Sequence, residues 1–143
     1  MKIFIASDHA GYELKEEVKK HLHKYYDIED LGTTSKDSVD YPEYAIKLGE
    51  RVAEEQAMGI LLCGTGIGMS IACNKVKGIR CAKVDNIEEA KLTRLHNDAN
   101  VIALSSHISK EDIKKYVDVF LTTPFSNEER HQRRINKIEE YEI

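Results

Sequence analysis

The segment Gly59-Ile60-Leu61-Leu62-Cys63-Gly64-Thr65-Gly66-Ile67-Gly68 decides the architecture. Four apolar positions lead into three glycines at every second residue, and a helix-forming run follows through Ala72 and Val76. This order reads as a strand, a tight turn and a helix start. A turn of this kind aims several backbone N–H groups, and the positive end of a helix, at one point in space. Cys63 stands at its lip, so the segment combines a nest of donors with a thiol that can act as base or nucleophile. That combination points to chemistry on an anionic or oxyanionic substrate.

Outward from this segment, short apolar runs alternate with helix-period stretches, the pattern of a parallel α/β sheet. Strands are expected over 2–6, 26–31, 59–62, 79–84 and 101–104, the second of them interrupted by charges. The spacing predicts a helix over 12–24, with Leu14, Val18 and Leu22 on one face. Asp40, Pro42 and Glu43 together look like a helix start with an acidic N-cap, and another start falls at Asp85 or Asn86. Ser109 with Asp112, and Ser126 with Glu129, are expected to cap the last two helices, and Pro124 to end the first of these. Five strands, each followed by a helix, give a Rossmann-like three-layer αβα sandwich over a five-stranded parallel sheet. Ligands in such sheets bind beyond the carboxyl ends of the strands. Asp8 and His9, Cys63 with its glycines, Asp85, and Ser105 to His107 all follow strands. His96 and Asn97 instead precede the fifth strand, which puts them at the opposite end and makes it doubtful that they reach the site of their own chain.

The 143 residues fit a single domain with a real core, spanning 1–143. A net charge of −4 offers no broad basic surface, which argues against nucleic acid as a partner. An anionic ligand therefore depends on local cations. Three cysteines without metal-type spacing suggest neither a disulfide framework nor a metal site, and a reducing compartment. No run approaches the roughly 20 apolar residues of a membrane span, and the N-terminal stretch is too short for a signal peptide. A cytoplasmic protein with no cofactor is expected.

Among the candidate groups, Cys63 is the most pointed, whereas Cys73 and Cys81 fall inside a helix and a strand and read as packing. The glycine turn lacks a dinucleotide fingerprint, because Met69 and Ile71 stand where a third glycine would be required. No Gly-Lys-Ser/Thr follows, as a P-loop needs, and Met69 also occupies the place of a cysteine phosphatase's arginine. The Thr65 hydroxyl is placed to relay a proton or to hold a substrate oxygen. Asp8 and His9 fit an N-cap beside a surface histidine as readily as a ligand site. Arg130 and Arg134, four apart, share a helix face and suit a phosphate or carboxylate. That last helix, about 126–140, is very polar, and its few apolar residues, Ile135 and Ile138, suggest docking on another surface such as a second subunit.

Taken together, Ser7-Asp8-His9-Ala10-Gly11, Asp40-Tyr41-Pro42, Cys63 to Gly68, Asn74-Lys75, Gly78-Ile79-Arg80, His96 to Val101 and Arg130-His131-Gln132 with Arg134 run in one order through essentially the whole chain. In this the sequence resembles the ribose-5-phosphate isomerase B family, which includes galactose-6-phosphate isomerase subunits. The resemblance implies a metal-free aldose–ketose isomerase acting on a sugar phosphate. It makes Cys63 the base and His96 the acid that opens the furanose. Gly64, Thr65, Gly66, Ile67, Gly68 and Asn97 are assigned to the enediolate, with Asp8 and Thr65 on sugar hydroxyls. His9, Arg130 and Arg134 are assigned to the phosphate. Relatives with a glutamate base carry it where this chain has Met69, so the chain fits the cysteine subclass. The family also implies a homodimer, or dimer of dimers, with the site shared between subunits. It often has a phosphate-binding arginine after the fifth strand, where this chain reads Ser105-Ser106-His107. The resemblance therefore leaves ribose 5-phosphate beside 6-phosphohexoses such as allose or galactose 6-phosphate. A non-catalytic sugar-phosphate-binding module is the remaining alternative.

Overall fold

In the computed structural model, which describes residues 1–142, five parallel strands alternate with six helices. In chain order they are β1 (Lys2–Ser7), α1 (Tyr12–Leu22), β2 (Asp27–Asp30), α2 (Tyr41–Glu55), β3 (Met58–Cys63), α3 (Ile67–Cys73), β4 (Cys81–Lys83), α4 (Ile87–Asn97), β5 (Val101–Ser105), α5 (Lys110–Thr122) and α6 (Glu129–Tyr141). The strand order is β2-β1-β3-β5-β4. The sheet thus turns back between β1 and β3, and the residues that follow these two strands lie side by side at that switch point.

The alternation of side chains along each strand builds two cores. Ile3, Ile5, Ile60, Leu62, Ile102 and Leu104 pack on one face against Val18, Ile113, Val117 and Phe120. Phe4, Ala6, Leu61, Val101 and Ala103 pack on the other against Ala45, Leu48, Val52 and Met69. Both faces of β3 are covered, which is why its sequence is a continuous apolar run rather than an alternating one. β2 lies at an edge with no fully buried residue. Its charges are put to use: Asp30 accepts from Lys15 and Lys19, and Glu29 from Arg51. Lys15 is buried, so its ammonium depends on that carboxylate.

The expected helix starts are only partly realised. Asn86 and Ser109 do cap α4 and α5, accepting the Glu89 and Asp112 N–H groups at 2.9 and 3.2 Å. Asp40 is the N-cap residue of α2, yet its side chain makes no cap bond, and Pro42 supplies the pre-set backbone there. Ser126 does not cap α6; Glu128 takes the N-cap position, and the Ser126 hydroxyl accepts the Glu128 N–H and pairs with His131. β4 is confined to three residues, because the Asn74 amide clamps both backbone polar groups of Cys81 and the preceding residues form a turn. α3 ends at Cys73, short of Val76. α6 docks on α4 of its own chain through buried His131 and Ile135, while Ile138 is 50% and Tyr141 88% exposed.

Candidate active site

At the carboxyl end of β3, Cys63 is only 4% exposed, and the N–H of Gly66 donates to its sulfur at 3.1 Å. Gly66 turns the chain with φ +80°, a conformation that an L side chain resists. Gly68 lies under the ring of Tyr41: a Cβ there would meet Tyr41 Cζ at 2.5 Å. The floor is tied to β5 by Ser105, whose hydroxyl donates to the Gly64 carbonyl at 2.8 Å and accepts the His107 N–H at 3.1 Å. Thr65 is exposed at the rim, and its Oγ1 accepts the Ile67 N–H at 3.2 Å. Gly66 and Ile67 therefore spend their N–H groups inside the turn. The Gly68 N–H, in the first turn of α3, has no carbonyl four residues behind it within the helix.

β1 ends beside this turn. Asp8 is buried, its N–H donates to the Leu62 carbonyl at 3.2 Å, and Oδ1 accepts the Gly11 N–H at 3.0 Å. The close approach of the two loops explains Gly11, where a Cβ would sit 2.4 Å from the Leu62 carbonyl oxygen. His9 Nδ1 accepts the Val39 N–H at 3.2 Å. That bond leaves the proton of the neutral ring on Nε2, which is then free to donate. The structure thus brings Asp8, His9, Gly64 to Gly68, Cys63 and exposed His107 to one end of the sheet.

His96, Asn97, Arg130 and Arg134 are at the other end. Cys63 pairs with Ser105, at the far end of β5, whereas the Gly59 N–H donates to Asn100 just before it. Four residues of strand separate the two levels, roughly 13 Å. The ring of His96 stacks on that of His131, with centroids 4.4 Å apart and planes tilted by 35°. Ser126 Oγ lies 3.0 Å from His131 Nδ1. Burial, and then the neighbouring His96 and Arg130, hold His131 below the usual histidine range. Arg130 and Arg134 are both exposed on α6, and among the described residues Arg134 has no carboxylate partner. A cavity of about 580 Å³ opens beside this cluster between β4 and α6, lined by Arg80, Asn97, Ile138 and Tyr141 among others.

Sequence reading missed four of these placements. Tyr41 over Gly68 and Ser105 under Gly64 are contacts between distant segments. His131 against His96 and Arg80 beside Asn97 likewise depend on how α6 and β4 meet α4. Within each pair the residues lie far apart in sequence, so no local pattern could reveal them.

Fold and site together define an α/β protein of the switch-point class, with a thiol at the mouth of a glycine turn. The chain belongs to the ribose/galactose isomerase family, whose model matches residues 3–138. Ribose-5-phosphate isomerase B of Mycolicibacterium paratuberculosis is 42% identical over 99% of this chain and 92% of its own length. The structure of Clostridium thermocellum ribose-5-phosphate isomerase B superposes with a TM-score of 0.96 at 44% identity, covering 99% of this chain and 97% of that one. The Mycoplasma genitalium ribose-5-phosphate isomerase B structure, with bound ribulose-5-phosphate, matches with a TM-score of 0.94 at 43% identity, covering 99% and 95%.

Proposed function

We propose that this protein interconverts ribose 5-phosphate and ribulose 5-phosphate through an enediolate, with Cys63 as the base. One observation carries the reading: the Cys63 sulfur, buried at the mouth of the glycine turn and met by the Gly66 N–H at 3.1 Å, in a member of this family. Starting from the aldose, His96 donates a proton to the ring oxygen as the C1–O bond breaks, and the C1 hydroxyl passes its own proton to solvent water as the C1 carbonyl forms. The Cys63 thiolate then takes the C2 proton, and the electron pair moves onto the C1 oxygen. Donors in place before the charge develops stabilise it, each by a few kcal/mol. The Gly68 N–H and Asn97 fill that role. Thr65 relays protons between the two oxygens, and the Cys63 thiol returns its proton to C1 to give the ketose. Asp8 orients the sugar hydroxyls. His9 Nε2, His107, Arg130 and Arg134 hold the phosphate.

This assignment needs two copies of the chain, because its members sit at opposite ends of the sheet. A two-fold pair places the Cys63 end of each copy against the His96 end of the other and completes two sites at once. Apolar side chains stand exposed near both ends, Ile67 and Ile71 on α3, and Ile138 and Tyr141 on α6. The C-terminal helix thus has one face on its own α4 and its remaining apolar residues toward the partner. Among the described residues no helix is long and apolar enough to cross a membrane. We place the enzyme in the cytoplasm, a reading supported by three free cysteines.

The test is turnover of ribose 5-phosphate by the purified protein with EDTA present, before and after alkylation of Cys63. Activity with EDTA and its loss on alkylation are expected. Full activity after confirmed modification of Cys63 refutes the role of the thiol. His107, exposed where the family resemblance expects a longer arginine, favours one second reading, a 6-phosphohexose substrate. A higher kcat/KM on allose or galactose 6-phosphate would establish it.

A further inference from the structure

Arg80 closes the turn before β4, and its guanidinium reaches three acceptors on two separate segments. Nε donates to the Asn97 carbonyl at 2.9 Å, one terminal nitrogen to the Asp98 carbonyl at 2.9 Å, and the other to Glu139 at 2.8 Å. The side chain is 15% exposed. Its backbone is fixed as well: Asn100 Oδ1 accepts the Arg80 N–H at 2.8 Å, and the Asn100 amide donates to the Gly78 carbonyl at 2.9 Å. Asn97 is the last residue of α4, and Asp98 follows it with φ +45°. Their carbonyls belong to the group that a helix end leaves without intrahelical donors. A planar fork satisfies both carbonyls of one turn simultaneously, which a single ammonium does not. Glu139 lies on α6, the helix that carries Arg130 and Arg134.

We infer that Arg80 is a positioning residue for the half-site at this end of the sheet. It holds the C-terminal turn of α4, and through it the His96 ring and the Asn97 side chain, in register with α6. The inference rests on the isomerase reading above. It adds that the geometry of a guanidinium touching no substrate limits turnover. The phosphate ligands stay on α6 when Arg80 is replaced, so the loss falls on kcat rather than on KM. It falls on furanose opening more than on the reaction of the open-chain ketose.

The experiment compares the full-length wild type with Arg80→Lys, Arg80→Met and Glu139→Gln, using ribose 5-phosphate and ribulose 5-phosphate. Both Arg80 variants are expected to lose roughly ten- to hundredfold in kcat on ribose 5-phosphate, with KM within about threefold. Single-turnover ring opening should slow, while Cys63 is alkylated at the wild-type rate because the other half-site is untouched. Glu139→Gln keeps a hydrogen-bond acceptor for Arg80 and is expected within about twofold of wild type. Amide hydrogen exchange supplies a readout independent of turnover: Asp98 and Ala99 should exchange about tenfold faster in Arg80→Lys, with the β3 amides unchanged. Should Arg80→Met not fold, Arg80→Lys, which keeps the cation, decides. Wild-type kcat and wild-type exchange in Arg80→Lys overturn the inference, as does a loss confined to KM or an equal slowing of Cys63 alkylation. A wild type without isomerase activity overturns the proposed reaction instead, and the exchange rates then decide the positioning claim.

Discussion

Replacing Gly66 by alanine separates the conformational demand of the glycine turn from its sequence. Gly66 has φ +80°, and forcing an L residue into that region costs about 1–2 kcal/mol. The added Cβ would sit 3.2 Å from the Leu104 carbonyl carbon and 3.4 Å from its oxygen. These are backbone atoms of a central strand, so relief must come from the turn itself, and a total of about 1–3 kcal/mol is expected. For a domain of this size that lowers Tm by roughly 3–12 °C. Moving the turn also withdraws the Gly66 N–H from the Cys63 sulfur, and losing a hydrogen bond to a charged thiolate, worth about 1.5–3 kcal/mol, should lower kcat roughly ten- to hundredfold. Gly64→Ala is the control for stability, because the nearest atom to its added Cβ is Ala10 Cβ at 3.9 Å and its φ is not positive. Thermal melts and steady-state kinetics on the two variants make the comparison. If Gly66→Ala melts with Gly64→Ala and keeps the wild-type kcat, the turn does not work as argued.

Arg134→Met should raise KM for phosphorylated substrate roughly 10- to 100-fold while leaving Tm within about 1 °C, checked by kinetics and a melt. Lys15→Met should destabilise by about 1–3 kcal/mol in chemical denaturation; Asp30 loses one partner but keeps Lys19, so the cost falls below that of a fully orphaned charge. Burial works against ionisation of Asp30, yet Lys15, Lys19 and the Gly32 N–H outweigh it and hold the carboxyl below its ordinary range. Its contribution to stability is complete above the unfolded carboxylate pKa and is lost as pH falls through the lower folded value. His131 is also lowered, so the folded state favours its neutral ring. Its contribution is present above the unfolded histidine pKa, near 6.5, and is lost as pH falls below it. His131→Asn should flatten that acid limb in denaturation curves taken across pH 5–7.

Much of this was legible in the sequence for local reasons. The buried β3 announces itself as a continuous apolar run, and Asn86 and Ser109 as caps, because strand burial and capping chemistry act within a few residues. The position of His96 and Asn97 away from Cys63 followed from chain order alone, since they precede β5 while Cys63 follows β3. Ser126 does not act as the cap because its hydroxyl is taken by the Glu128 N–H and His131, while its own N–H donates to the Leu95 carbonyl of α4, a contact between distant segments. The Asp40 motif has the right letters, but its carboxylate is not used by the helix. Tyr41 on Gly68, His131 on His96 and Arg80 on Asn97 are tertiary events set by helix docking, which periodicity does not encode.

The central claim is that Cys63 of one copy acts with His96 of another. It is tested most directly by mixing two inactive variants, Cys63→Ser and His96→Ala, under conditions that let subunits exchange. If the site is shared, each mixed pair has one doubly altered site and one site with both native residues. Random exchange should then restore about one quarter of the wild-type activity on ribose 5-phosphate. If both residues act within one chain, every site in the mixture lacks one of them. A mixture no more active than its two components, with exchange confirmed by mass spectrometry, would contradict the account.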